Sequence, residues 1–407
     1  MQPDELQHSV DTLAARLRRS VSVDAPSMRL LAASRHFGDE DPARVRSVLD
    51  RYAGDEETKF VLSQGVANWT RPGRVPAHPP HLSARLCVPL RCHGILLGYL
   101  WLIDPDETLG DREVGITAEA TEQIGLLLYR RLLLHERELA RIGSLLRDLI
   151  SPDTAARARA AQEIRDDGLL AADDYVIMLS AEAFGMADAN ARDHAAVSIS
   201  AAVEAAGRAV PPRTVLSSAD GCRALVLVAA AAPPAEKTIN ELVAIIEREF
   251  TRRKGPGDQI VIGVGSARHG LGQVAESYRH ASTAARAARL LPRLGPVARW
   301  ERLGPYALLL QLPPDHVISE DWIPALAALR RADPHGGLVS TLEAFLDNAG
   351  DVQRTARQLR VHRTTLYHRL QRIERVAQVD LRDGTDRLTL HLGLKLGKLA
   401  DARQTHG

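Results

Sequence analysis

The side chains best equipped for chemistry lie near the carboxyl end. Positions 351–375 hold seven arginines against Asp351 and Glu374, a net charge of +5 in a chain whose overall balance is only +1. A helix starting at about Arg363 places Leu366, Leu370 and Ile373 on one face. At about 100° per residue, Thr364, His368, Gln371 and Arg375 fall on the opposite face, flanked by Tyr367 and Arg372. Arg and Gln can pair with base edges and Thr or Tyr hydroxyls can hold phosphates, so the chemistry expected is groove reading on double-stranded DNA. A recognition helix enters the groove by its N-terminal end, which makes Arg363, Thr364, Thr365, Tyr367, His368 and Gln371 the groove-facing candidates. Arg372, Arg375, Arg354 and Arg357 are the phosphate-holding candidates.

A charged run alone usually means a solvated helix face, so the surrounding elements decide. Asn348 and Gly350 are helix-stopping residues, and Asp351 can cap the next helix by accepting its orphan N–H groups. Val352, Ala356 and Leu359 form a buried stripe, and the small Ala356 lets a second helix approach after a short turn through Arg360 and Val361. Leu338, Leu342, Phe345 and Leu346 mark a preceding helix. Cap, turn, small residue and outward polar face agree on a helix-turn-helix. Upstream, positions 85–104 predict a hairpin turning at His93-Gly94. The first 30 residues are polar and weakly periodic. A helix is expected from about 117 to 150, with Leu128, Leu132, Leu139, Ile142, Leu146 and Leu149 forming a seam that either packs on its own domain or builds a dimerising coiled coil. From 151 onward, strands at 175–179, 213–217, 223–229 and 259–265 alternate with helices at 191–209, 239–252 and 271–290. That order predicts an α+β sandwich with helices on one sheet face.

The run Thr355-Ala356, Leu359, Val361-His362-Arg363-Thr364-Thr365-Leu366, Arg369-Leu370 and Arg372-Ile373, continued by Val379-Asp380-Leu381-Arg382-Asp383, Arg387-Leu388 and a leucine-rich last helix, resembles the C-terminal helix-turn-helix of the PucR/CdaR family of transcription regulators. Arg360 stands where helix-turn-helix proteins usually have Gly. Leu145-Leu146-Arg147-Asp148-Leu149 and the 262–290 segment, with Ser277-Tyr278 and Ala281, resemble the degenerate GGDEF-like middle domain of that family. The hairpin at 86–104 resembles the end of a GAF sensor. The resemblance implies a multidomain α+β chain: a GAF-like α/β sensor at 1–116, a connecting helix at 117–150, a cyclase-like (ferredoxin-like) α+β domain at 151–300, a helical linker at 301–335 and an all-α helix-turn-helix domain at 336–407. It also implies a homodimer or higher homo-oligomer, and a small-molecule or partner effector at the N-terminal region.

Composition bounds the alternatives. The 407 residues are too many for one core, and 45% hydrophobic with 25% charged residues is an ordinary globular balance. Three cysteines without a secretory signal suggest a reducing compartment, hence the cytoplasm. The apolar runs at 95–103 and 224–232 fall short of the roughly 20 residues that span a bilayer. An enzyme is the competing class, a nucleotide-binding or cyclase-like one with a regulatory C-terminal domain. Catalytic cyclases of this fold carry a Gly-Gly-Asp/Glu-Glu-Phe signature, and this chain has Ala219-Asp220-Gly221-Cys222-Arg223 instead. Gly263-x-Gly265 lacks the Lys-Ser/Thr of a phosphate loop and is expected to be a tight strand end. His78, His81, Cys87, Cys92 and His93 cluster in sequence, but their spacing fits no closed metal site. No catalytic residue, metal or cofactor is therefore expected.

Overall fold

The computed structural model describes residues 5–39, 41–52, 54–78, 81–312 and 323–406. It divides into two compact units, one ending at Leu139 and the other beginning at Ala140.

In the first unit, α1 (Glu5–Leu17) buries Leu6, Val10, Leu13 and Ala14, a helical spacing inside the stretch expected to be only weakly periodic. There follow β1 (Val21–Asp24), β2 (Leu30–Ala33), α2 (Pro42–Asp50), α3 (Asp55–Ser63) and β3 (Gly73–Val75). The expected hairpin is β4 (Arg85–Cys92) and β5 (Ile95–Ile103). Its turn puts His93 at φ 49° and Gly94 at φ 81°, the left-handed pair whose twist matches flanking strands. The sheet is antiparallel in the order β2-β1-β5-β4-β3. Alternation sends Leu86, Val88, Leu90, Leu100 and Leu102 to a core shared with α1, and Cys87, Tyr99 and Trp101 to a second core on the other face. Cys92 packs against the first of these cores, so the two cysteines of the hairpin face apart. Positions 79 and 80 of the preceding Pro/His loop lie outside the described residues.

Helix α4 (Asp111–Leu149) starts six residues before the expected Thr117. Its seam is not free for a partner along its length, contrary to a coiled coil over 128–149. Leu128 is buried in the first unit's core, and Leu146 and Leu149 are buried in the second unit's. The leucines left exposed are Leu126, Leu133, Leu134 and Leu139.

The second unit opens with α5 (Thr154–Asp166), β6 (Tyr175–Phe184), α6 (Ala189–Arg208), β7 (Val215–Asp220), β8 (Arg223–Ala230), α7 (Glu236–Arg253), β9 (Gln259–Val264), β10 (Arg268–His269), α8 (Val274–Leu290), β11 (Val297–Arg299) and α9 (Tyr306–Leu309). The main sheet runs β11-β9-β6-β8-β7; β6, β8, β7 and β9 pair antiparallel, and β11 adds in parallel to β9. Helices cover both sheet faces, not one. Ile177, Leu179, Ala181 and Ala183 of β6 face α6 and α7, while Val176 and Met178 face α5, α8 and the end of α4. Gly263 and Gly265 allow α8 to lie directly on β9, because a Cβ at either position would collide with the Ala281 or Ser277 carbonyl. Ser277 completes the contact, accepting from Met178 N–H at 2.9 Å and donating to the Ser266 carbonyl at 2.8 Å. The Gly-Val-Gly sequence is thus a helix–strand packing device. No helix among the described residues is long and apolar enough to cross a membrane.

Candidate nucleic-acid interface

The C-terminal elements are α10 (Pro324–Ala332), α11 (Gly337–Asp347), α12 (Val352–Leu359), α13 (Arg363–Ala377) and α14 (Gly384–His406). Residues 313–322 of the expected 301–335 linker lie outside the described residues. Leu338, Leu342, Phe345, Ala356, Leu366, Leu370 and Ile373 form one core with Leu390 and Leu394. Val352 and Leu359 pack against it half-buried.

Each helix end has a local cause. Asp351 accepts the Arg354 N–H at 2.9 Å and caps α12. Thr355, fully buried, donates to the Asp351 carbonyl at 2.6 Å, and the buried Asn348 amide donates to Ala344 O at 2.8 Å and to Gln358 Oε1 at 2.7 Å. These bonds fix α12 against the end of α11. Arg360 terminates α12 with φ 53°, the left-handed conformation that usually calls for Gly. His362 then caps α13, its Nδ1 accepting the Thr364 N–H at 3.4 Å with the Thr364 hydroxyl 3.0 Å away.

The turn delivers a polar surface. Arg363, Thr364, Thr365, Tyr367, His368, Gln371, Arg372 and Arg375 are all exposed on α13, and Arg354 and Arg357 are exposed on α12. Arg357 Nε donates to the Gln353 carbonyl at 3.4 Å, which aligns it along its own helix. Among the described residues no acidic side chain pairs with any of these arginines. Arg369 differs: it is half-buried and donates to Thr341 Oγ1 at 3.3 Å, tying α13 to α11. Two residues escaped the sequence reading. Arg360 adds a further exposed cation at the turn, and His362 sits at the very tip of α13; the first was legible as a basic residue in a turn, the second as a polar residue directly before a helix start.

Behind this surface, α14 is locked to α11 by charge. Lys395 is buried and donates to Asp347 at 2.6 Å and Glu343 at 3.3 Å, while His391 lies 2.7 Å from Asp347 and Lys398 2.6 Å from Glu343. Burial alone would raise the Asp347 carboxyl, yet the Lys395 and His391 contacts hold it below the usual carboxylate range.

In the middle of the chain, Asp220 and Arg223, on either side of the β7–β8 turn, line a cavity of about 430 Å³. Arg147, Arg286 and Arg289 line it with Ser180 and Glu182. Glu182 is engaged by Arg289 at 2.8 Å and by Arg223 at 3.7 Å.

Comparison with known proteins agrees with this geometry. The PucR C-terminal helix-turn-helix domain matches residues 338–396, and the GGDEF-like domain matches residues 150–287. The proline-responsive transcriptional activator PutR of Bacillus subtilis (strain 168) is 22% identical over 96% of this chain and 95% of its own. The DNA-binding transcriptional activator AdeR of the same organism is 19% identical over 97% of this chain and 93% of its own. The carbohydrate diacid regulator of Escherichia coli (strain K12) is 32% identical, over 37% of this chain and 39% of its own. A helix-turn-helix with an open basic face, joined to relatives of this kind, defines a DNA-binding transcriptional regulator. Its middle and C-terminal segments are similar to those of PucR/CdaR-family regulators.

Proposed function

We propose that the chain binds DNA sequence-specifically as a homodimer and adjusts that binding to a small molecule or partner sensed by a GAF-like N-terminal domain in the cytoplasm. In this reading a sensor precedes the connecting helix, which begins at Asp111 and not at the expected 117, and a GGDEF-like scaffold at 151–300, a linker at 301–335 and a reader at 336–407 follow. The observation that carries the proposal is the exposed face of α13, whose cations find no acidic partner among the described residues. Phosphate neutralisation by Lys or Arg releases counterions, so such cations on a groove-sized helix favour a duplex. Arg363, Thr364, Thr365, Tyr367, His368 and Gln371 read bases; Arg354, Arg357, Arg372 and Arg375 hold phosphates. Two copies convert two weak half-site contacts into one tight event. Leu126, Leu133 and Leu134 on α4 supply an exposed apolar stripe for the pairing. The proline response named for one relative supports a small-molecule input.

The middle domain acts as a scaffold and not as a cyclase. Glu182, the acidic side chain facing the cavity from β6, is neutralised by Arg289 and Arg223, which opposes its use in holding a metal and nucleotide triphosphate. A purine-nucleotide turnover assay on the full chain checks this, with no turnover expected.

The central test is fluorescence anisotropy on fragments selected from genomic DNA. Arg363→Ala and His368→Ala should relax sequence preference, with about 1–3 kcal/mol lost at the position read. Arg372→Ala should weaken all sequences alike and reduce the salt slope by about 1. Equal loss on every sequence for all three variants refutes this division of roles.

A further inference from the structure

On the α8 side of the middle sheet, strand pairing aligns three rows of side chains across β6, β8 and β7. Met178, Leu227 and Leu216 form the first row and are buried in the core beneath α8 and the end of α4. Ser180, Leu225 and Ser218 form the second. Glu182, Arg223 and Asp220 form the third. The apolar core therefore gives out at the same level on all three strands. Beyond it the second and third rows open into the cavity of about 430 Å³, within the roughly 300–1,000 Å³ of small-molecule sites. Gly143 of α4 and Ala285 of α8 line it from the helix side. A Cβ on Gly143 would lie 2.8 Å from Ser218 Oγ, so α4 comes this close to β7 only with glycine there.

The lining defines the chemistry of an occupant. Arg147 from α4, Arg223 from β8 and Arg289 from α8 bring guanidinium groups in from three elements, and Arg286 lines the α8 wall. Arg223 and Arg289 share the single Glu182 carboxylate, at 3.7 and 2.8 Å, so that trio keeps one positive charge. Arg147 has no ion-pair partner among the described residues and adds another. Like charges gathered in a walled cavity attract an anion. A phosphate offers three strong acceptor oxygens to donors arriving from three directions, whereas a planar carboxylate pairs within its own plane. Hydroxyls on Ser180, Ser218, Ser282 and Tyr278 also line the space, and the exposed Asp220 carboxylate adds an acceptor. Such groups suit a polyhydroxylated body. Tyr278 is the one aromatic ring among the described lining residues, which leaves no pair of flat faces to sandwich a base. We infer that this cavity is a metal-free binding site for a sugar phosphate, a second small-molecule input apart from the N-terminal one. The guanidinium groups hold the phosphate, and the serines and Asp220 meet the sugar hydroxyls.

The test is titration calorimetry on the full chain, in EDTA, with the terminal phosphate monoesters of ribose and of glucose. Beside them go the two free sugars, inorganic phosphate, the sugar dicarboxylate glucarate, and GMP. At least one monoester should bind saturably, with its free sugar and inorganic phosphate at least tenfold weaker. Arg147→Gln should weaken binding about tenfold or more and Ser282→Ala about threefold. Arg289 also stacks over the Phe184 ring and is left intact to preserve the fold. Arg165→Gln, on α5 and outside the cavity, should leave the affinity unchanged. Circular dichroism confirms that each variant is folded. Glucarate or a free sugar binding as tightly as the monoesters overturns the assignment. GMP binding tenfold more tightly than either monoester makes this a nucleotide site and overturns it too. So does saturation that appears only with added magnesium, full affinity in Arg147→Gln, or no heat from either monoester at millimolar concentration.

Discussion

At the scale of single residues, burial and ionisation are in conflict at Asp24. Burial raises its carboxyl to about 7, against lowering by Arg85, Trp101 and Arg44. In the unfolded chain it titrates near 3.8. Between those values the folded state holds a proton that the unfolded state has lost, so the stabilising contribution is complete below about pH 4 and disappears as pH rises through about 7. Asp24→Asn removes the penalty, and its advantage over the native chain should grow across that window to about 2–4 kcal/mol by pH 8, then stay flat. Urea unfolding at a series of pH values measures it; a constant difference contradicts the origin in ionisation. Arg360 shows a similar tension. Arg360→Gly should relieve the left-handed backbone and stabilise the protein by about 1 kcal/mol, while lowering DNA affinity at low salt through loss of a cation.

At the scale of elements, the cap and the close packing are open to direct check. Asp351→Ala should cost about 1 kcal/mol, seen in urea unfolding and in weaker DNA binding. Gly263→Ala drives a methyl into the Ala281 carbonyl and should cost about 3 kcal/mol or more, separating α8 from β9. These elements also show what the sequence discloses. Helices α12 and α13 were legible because cap, stripe and turn are local and their periodicity is strong. The short strands β1 and β2 were not, since β1 is placed by pairing with β5 far along the chain, Val21 opposite Leu102. Coverage of both sheet faces was hidden as well, although Val176-Ile177-Met178-Leu179 is the unbroken apolar run that two-sided burial requires. The cavity lined by Arg147, Arg223 and Arg289 is assembled from positions remote in sequence, so no local pattern announces it. The exposed polar face of α13 was legible nearly whole; Arg360 and His362 were missed because turn residues were read for conformation alone.

At the scale of the whole molecule, the exposed leucines of α4 predict the assembly. Leu126→Glu combined with Leu133→Glu should shift sedimentation from dimer to monomer and weaken operator binding by about 10²-fold or more, with little change for a single half-site. An unchanged sedimentation coefficient removes this helix from the interface. Helix α14 has a different consequence. Its Leu390 and Leu394 belong to the core of α10–α13, while Leu399 is buried in a cluster with α8, β11 and α9, joined by Leu392 and Leu396. The last helix therefore serves as a common wall between two rooms. A fragment cut ahead of α10 would carry that wall with one side unplastered, showing bare leucine to water. Such a fragment should be sticky and prone to precipitation, and the DNA reader is built to travel with its neighbour instead of swinging free on a tether.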